Sequence, residues 1–458
     1  MIENIAVIGL GKLGGSMAAC LASRGFNVIG VDVSQKTVDA VNAGHTPAQE
    51  TGLAELIEKN KARIRATVNH EDAILNSELS FVIVPTPSDA RGAFSLQYAA
   101  YAFEAIGKAL ARRHTYHTVV LTSTVLPGST RYGLLPILEE HSGKRAGKDF
   151  GLCYSPEFIA LGSVIRDYLN PDFFLIGEFD ERSGAAVESV NSRVALNQAA
   201  SKRMSIENAE LAKIALNSYV TLKISYANML AELCERIPGG DVDVVSDAIG
   251  MDKRIGRRYL TGGFGYGGPC FPRDNVALGF VGRYLGGSTK LLEMNDDFNR
   301  TISPRFVEKL QPYLREGSTV AVLGLAYKPL SHVIEESAGM YLCLTLAGKG
   351  FRVIGYDPLA TEEAQSALRM HALVADSITA CLQDAECVLV TTADDAFKAL
   401  TPKDFVGNKQ SVTVVDFWRC LPESVRTHPA IRYVPIGRCI NNDAAAEKLQ
   451  SLWGVDKD

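Results

Sequence analysis

The segment from residue 3 to residue 32 restricts what this chain can fold into more than any other part of it. An apolar run, ENIAVIG, ends in GLGKLGG; an alanine-rich stretch of helical character and a second apolar run, FNVIGVD, follow. Gly9, Gly11 and Gly14 take the G-x-G-x-x-G spacing directly after a strand and at the opening of a helix. Glycine there allows a tight turn and close backbone approach, so a pyrophosphate can rest on N–H groups at the helix start. Asp32 ends the second strand, where a carboxylate accepts from a ribose diol and repels a 2′-phosphate. The alternative is a structural turn followed by a solvated aspartate. The complete strand–turn–helix–strand context favours a dinucleotide site, for NAD rather than NADP. Lys12, Leu13 and Lys36 join the expected cofactor contacts, the two lysines adding positive charge that works against the NAD preference.

Two further strands, SFVIVPTP (80–87) and HTVVLTSTVLPG (117–128), run into proline-bearing loops, with a helical pattern over 94–112 between them. Loops at the carboxyl ends of parallel strands hold ligands in this architecture, which makes Pro85, Thr86 and Thr124 candidates. Over 205–236 the chain turns helical for about 30 residues with no glycine or proline, and roughly 45 Å of helix is longer than a small domain needs. It reads as a spine and a dimer surface. From 317 the opening repeats: STVAVLGLAYKP (318–329), an apolar helix near 337–348, GFRVIGYDP (350–358), then CVLVTT and SVTVVDFW. The predicted fold is α/β, two doubly wound Rossmann-like domains joined by a long central helix. The boundaries are 1–204 for the NAD-binding domain, 205–303 for the helical linker and dimerisation domain, and 304–458 for the second sheet. The second turn, Gly324 to Lys328, lacks the three-glycine spacing, so a second dinucleotide is not expected. Lys328 is either the counter-charge of another phosphorylated ligand or a surface lysine.

Composition closes off other classes. The 47 Lys+Arg against 52 Asp+Glu give a net charge of −5, which argues against a nucleic-acid partner. No uncharged apolar run reaches 18 residues, so no membrane span is expected. The nine cysteines form no CxxC pair and no secreted framework, which points to reduced thiols, a cytoplasmic location and no metal site.

Residues 261–274, TGGFGYGGPCFPRD, present Cys270 within a glycine-rich loop. So many glycines cost backbone entropy, which suggests a loop moulded around a ligand. Cys270 is either a nucleophile or a small residue in a crowded bend. Asp274 shares its face if a helix begins near Pro272. On the spine, Lys213 and Asn217 are one turn apart and able to stabilise an oxyanion; alternatively Lys213 pairs with Glu210 on the surface. Ser123 and Thr124 are hydroxyls at a strand end that can position a water, and Glu157 in CYSPEF is a general base or a loop carboxylate.

Taken together these motifs resemble the UDP-glucose/GDP-mannose dehydrogenase family, most closely its UDP-glucose 6-dehydrogenase branch. GLGKLGG with Asp32, VPTP (84–87), STVLPG (123–128), SPEF (155–158), the Glu210/Lys213/Asn217 helix, DKRIG (252–256), GFGYGGPCFPRD (263–274) and GLAYKP (324–329) carry it across nearly the whole chain. The resemblance implies a four-electron, NAD-dependent oxidation of a nucleotide sugar's 6-hydroxymethyl to a carboxylate. Cys270 would carry a thiohemiacetal and then a thioester. Lys213 and Asn217 would hold oxyanions, Asp274 with Thr124 and a water would assist alcohol deprotonation, and Glu157 would serve thioester hydrolysis. Phe158, Ile159, Tyr266, Gly267 and Lys328 would line the substrate, residues 304–458 would bind UDP, and Arg254 would reach a sugar hydroxyl across a homodimer.

Some positions depart from the family pattern. Leu161 stands where a glutamate is usual, Glu335 where an arginine is usual, Pro269 for the serine before the cysteine, and Arg273 for a lysine. A usual Asp-Gly-Arg reads Asp416-Phe417-Trp418-Arg419, which suggests an arginine supplied one residue late. The expected substrate is UDP-glucose, with GDP-mannose or a UDP-N-acetylhexosamine as alternatives. A non-catalytic nucleotide-sugar binder would not need Cys270, and a 6-phosphogluconate-type dehydrogenase would need neither Cys270 nor the second sheet.

Overall fold

The protein is described by a computed structural model covering residues 2–45 and 50–453. It divides into two compact units, Met1–Leu216 with Ala277–Gly287, and Asn217–Val276 with Ser288–Asp458. Each is built around its own sheet.

The first sheet has eight strands: β1 (Asn4–Ile8), β2 (Asn27–Val31), β3 (Ile64–Thr67), β4 (Leu79–Val82), β5 (Thr118–Leu121), β6 (Gly151–Tyr154), β7 (Phe174–Glu178) and β8 (Ser201–Ser205). Their spatial order is β3-β2-β1-β4-β5-β6-β7-β8, parallel except for the antiparallel β6/β7 pair. The apolar runs of the sequence follow from covering on both faces. On β1, Ala6 and Ile8 point into one core cluster while Ile5 and Val7 point into another, the period-2 alternation of a strand buried on both sides. The strand order reverses between β1 and β4, the switch point where this architecture opens a ligand crevice.

The second sheet has six parallel strands: β9 (Thr319–Leu323), β10 (Arg352–Tyr356), β11 (Leu373–Val374), β12 (Cys387–Val390), β13 (Val412–Asp416) and β14 (Ile431–Pro435). They are ordered β11-β10-β9-β12-β13-β14. Val320 and Val322 face one cluster and Ala321 and Leu323 the other, as on β1.

The long helix is Ile206–Cys234, 29 residues, and the division between the two units falls inside it, after Leu216. It ends short of Pro238, which cannot continue a helical ladder. No helix among the described residues is long and apolar enough to cross a membrane.

Candidate active site

The turn after β1 assigns each glycine a different job. Gly9 has φ of +97°, and a Cβ there would come 2.3 Å from the Ile83 carbonyl oxygen. A Cβ at Gly14 would lie 1.8 Å from the Gly9 carbonyl oxygen, so that position sets how closely the first helix packs on the turn. Around Gly11 a Cβ would meet no protein atom within 4 Å. Gly11 is also the N-cap of helix Lys12–Ser23 and brings no side-chain cap, so the helix start stays open to an anion. Asp32 accepts from the Leu10 and Ser34 N–H groups, each at 2.9 Å, and stays partly exposed. An open helix start, a bare glycine and a carboxylate beside the turn fit NAD. Leu13 is half-buried, while Lys12 and Lys36 are exposed. Just past β2, Val33, Gln97, Tyr98, Tyr101, Glu104 and His141 line an open depression.

The loops that follow β4 and β5 are tied to each other. Thr86 Oγ1 donates to the Thr124 carbonyl at 2.7 Å, while Pro85 is exposed. Ser123 Oγ donates to the Val84 carbonyl and accepts from its N–H. The hydroxyl of Ser123 is therefore a tie between loops rather than the water-positioning group read from sequence; Thr124 is the half-buried member of the pair.

Glu157 sits in the loop after β6. Lys213 Nζ donates to the Glu157 carbonyl at 2.7 Å and lies 4.6 Å from the centre of the Phe158 ring. Burial raises the Glu157 carboxyl to about 7, an effect that the nearby Lys213 charge opposes. A carboxyl near 7 is poised to take and release a proton at neutral pH. Phe158 stacks at a tilt on Phe173, and Ile159 packs against the neighbouring core. Glu210 and Lys213 do not lie on the surface. Both residues are buried, and the Glu210 carboxylate accepts from the backbone N–H groups of Gly128 (2.6 Å) and Thr130 (2.8 Å).

Helix Phe271–Tyr284, of which Phe271–Val276 belong to the second unit, carries Pro272 in its first turn, where a missing N–H is tolerated. The Cys270 carbonyl accepts from the Asp274 N–H at 2.9 Å, which makes Cys270 the residue that enters the helix. Asn217 Nδ2 donates to Asp274 Oδ2 at 2.6 Å, and both side chains are buried. All nine cysteines are thiols and Cys270 alone among them is exposed. Burial pushes Cys20, Cys153, Cys381 and Cys387 up to about 12.

Three glycines of the loop let it approach the rest of the protein closely. A Cβ at Gly265 would come 2.2 Å from Asn299 Oδ1, at Gly267 2.2 Å from the Glu336 carbonyl oxygen, and at Gly268 2.4 Å from the Tyr327 ring. Tyr266 is buried with its hydroxyl donating to Asp296, and burial raises its phenol further above the usual range. Arg254 is exposed and paired with Asp252, while Lys328 is half-buried, 5.7 Å from the Tyr327 ring centre. Arg419 is no late substitute for a ligand arginine. Its guanidinium is buried, bidentate to Asp243, and donates to the carbonyls of Phe417, Ile436 and Gly262.

Sequence reading missed the residues that hold these groups in place. Asn228 donates to the Phe264 carbonyl and accepts from the Gly263 N–H; Asn299 does the same for the carbonyl and N–H of Tyr266. Each acts as a one-residue strand partner for the glycine loop. Their signal was an asparagine inside a long helix, a poor helix former that stays there when its amide is used elsewhere. Glu50 likewise accepts from the Gly162 and Val164 N–H groups and holds the loop that follows Glu157.

Comparison with known proteins gives the family. Residues 3–195, 207–301 and 321–423 match, in turn, the NAD binding, central and UDP binding domains of the UDP-glucose/GDP-mannose dehydrogenase family. A UDP-glucose 6-dehydrogenase of Haloferax volcanii is 36% identical over 403 residues, 87% of this chain and 93% of that protein. A GDP-mannose 6-dehydrogenase of Azotobacter vinelandii is 32% identical over 90% of this chain and 97% of its own. The structure of a UDP-glucose dehydrogenase from Pyrobaculum islandicum superposes with a TM-score of 0.85 at 31% identity, covering 96% of this chain and 98% of that one. This chain therefore belongs to the UDP-glucose/GDP-mannose dehydrogenase family and is an NAD-dependent nucleotide-sugar 6-dehydrogenase.

Proposed function

We propose that the chain oxidises the C6 hydroxymethyl of UDP-glucose to the carboxylate of UDP-glucuronate through covalent intermediates on Cys270. The carrying observation is one exposed thiol at the start of a helix whose next turn holds a buried aspartate bound by Asn217. Bound at the Gly9–Gly14 turn and Asp32, NAD supplies the hydride acceptor for each of two oxidations. Asp274, with Thr124 and a water, takes the alcohol proton as the first hydride leaves and the aldehyde forms. The Cys270 thiolate then adds to the aldehyde carbon, and Lys213 and Asn217 hold the resulting oxyanion. Loss of the second hydride from that carbon leaves a thioester. Glu157 takes a proton from the attacking water, the carbon–sulfur bond breaks, and the acid departs with the thiol restored.

The match of 321–423 to a UDP binding domain favours a uridine nucleotide, with Lys328 as counter-charge to the diphosphate and Phe158, Ile159, Tyr266 and Gly267 along the sugar. GDP-mannose 6-dehydrogenases among the relatives keep GDP-mannose as the second reading. NADH counted per sugar over a panel of nucleotide sugars separates them: two per UDP-glucose supports the proposal, and turnover of GDP-mannose alone overturns it. The working form is a cytoplasmic homodimer. Tyr219, Tyr226 and Leu233 recur every seven residues on the long helix and are all exposed, a seam suited to a second copy, with Arg254 reaching the partner's sugar. A fully active monomer by sedimentation overturns the cross-subunit role.

Replacing Cys270 by serine tests the chemistry. Acid release should fall by about a hundredfold or more while binding of the nucleotide sugar persists, because an alkoxide ester forms and hydrolyses less readily than a thioester. Intact-protein mass should show a trapped adduct or a stall after one NADH. Parent-rate turnover to acid by this variant overturns the covalent route. In the parent, thioester hydrolysis should rise as pH passes about 7, where Glu157 loses its proton, and Glu157→Gln should remove that rise and accumulate the thioester.

A further inference from the structure

Glu210 is fully buried, yet neither the cofactor turn nor the reacting groups described above use it. A carboxylate out of water is costly unless hydrogen bonds replace its hydration. Here those bonds come from two backbone N–H groups, at Gly128 and Thr130, 82 and 80 positions away in sequence. The segment they belong to directly follows the STVLPG loop. Gly128 has φ of +88°, and the helical stretch Ser129–Leu134 that it caps receives no side-chain cap of its own. Glu207, one turn earlier, adds a second strap by pairing with Arg131.

The other end of the same loop is also fixed. Ser123 ties to Val84, and the Thr124 carbonyl accepts from Thr86. Thr124 is thus held between the loop after β4 and the long helix. Glu210 stands three residues before Lys213, whose ammonium is in turn bonded to the Glu157 carbonyl. One carboxylate therefore joins two groups that come from distant parts of the sequence.

We propose that Glu210 is a positioning residue that fixes the Thr124 loop in register with the helical turn carrying Lys213. The proposal rests on the reading that Thr124 and Lys213 serve the oxidation. A carboxylate accepting two N–H bonds sets a distance and a direction, and a hydroxyl meant to place a water loses effect when it shifts by an ångström. Replacement by glutamine keeps the size but offers one oxygen and one NH2, so one of the two N–H groups loses its acceptor.

The test compares the full-length parent with Glu210→Gln, using NAD and UDP-glucose, or the nucleotide sugar that the parent oxidises if UDP-glucose is not taken. Hydrogen exchange should quicken in peptides covering 124–134 and stay unchanged elsewhere. The kcat should fall by about tenfold to a hundredfold while dissociation constants for sugar and NAD stay within about twofold. Unchanged kcat despite faster exchange overturns the proposal and leaves Glu210 as a cap. A parallel loss of kcat, both affinities and melting temperature overturns it as well, since that is general destabilisation. Should the glutamine variant not fold, Glu210→Asp keeps the charge at a shorter reach and is read by the same split. A parent that yields NADH but forms no Cys270 adduct speaks against the covalent reading alone, which keeps the two failures apart.

Discussion

The two sheets carry the same turn built to opposite ends. After β1 the chain reads Gly-Leu-Gly and after β9 it reads Gly-Leu-Ala, and both leading glycines have positive φ, +97° at Gly9 and +109° at Gly324. Leu10 lies against Gly30 of β2 just as Leu325 lies against Gly355 of β10. Even the close helix packing recurs: a Cβ at Gly339 would come 2.0 Å from the Gly324 carbonyl oxygen, matching Gly14 over Gly9. The loops between differ. In the first unit the helix starts at once, with Gly11 as a bare cap. In the second, residues 325–337 intervene and the helix Ala338–Gly348 begins under Ser337, whose side chain accepts from the Met340 N–H. The aspartates diverge as well. Asp357 is buried and accepts from four N–H groups, those of Leu325, Ala326, Leu359 and Ala360. Asp32 stays partly exposed. One scaffold thus leaves its helix start uncapped and its carboxylate partly exposed with two backbone N–H groups, and the other caps its helix and buries its carboxylate under four.

The strongest way to break this comparison is a methyl at the packing glycines. Gly14→Ala should lower NAD affinity by about a hundredfold, since helix and turn must separate, whereas Gly339→Ala should cost the second unit about 3 kcal/mol and leave NAD affinity alone. Calorimetric titration with NAD and thermal melts of both variants measure the contrast; equal loss of NAD affinity in both would sink it. Gly11→Ser should come next. Nothing stands within 4 Å of its Cβ, so the fold should hold, yet NAD affinity should drop by about tenfold because the side chain fills the open helix start.

The aspartates sharpen the comparison further. Asp357→Asn should destabilise by about 2 kcal/mol, as buried N–H groups lose a charged acceptor, with no change toward NAD. Asp32→Asn should cost less stability but cut the preference for NAD over NADP by about tenfold, read from kcat/KM for the two cofactors. Smallest of all, Ser337→Ala should cost about 1 kcal/mol of cap energy in a denaturant melt and leave the cofactor constants unchanged.

What could be read from the sequence was what lies close together in it. The Gly9–Asp32 unit showed itself because turn, helix and strand follow without interruption, and the β9 repeat showed itself by the same apolar pattern. Gly339 did not, because an inserted loop separates it from its partner Gly324. Glu210 stands three residues from a lysine, which invites a local pair, but its backbone partners are brought to it by folding. Arg419 has the charge of a ligand and the position of a buried strut, a distinction that burial makes and composition does not. The strands β6 and β8 were missed for their chemistry: one is a four-residue run and the other, Ser-Lys-Arg-Met-Ser, is polar and partly exposed.

The uneven placement of the cysteines has a consequence outside catalysis. A thiol held near 12 is ionised to only about one part in 10⁵ at pH 7, so Cys20, Cys153, Cys381 and Cys387 are poor targets for electrophiles even before their burial is counted. Cys270 is exposed and lacks the burial of those four. A limiting dose of an alkylating or oxidising agent should therefore strike Cys270 first, and under the covalent route proposed above the protein should lose its activity while still folded. Chemical injury to this molecule would then register as silence rather than as aggregation, and on the same proposal a nucleotide sugar seated over Cys270 would act as its antioxidant.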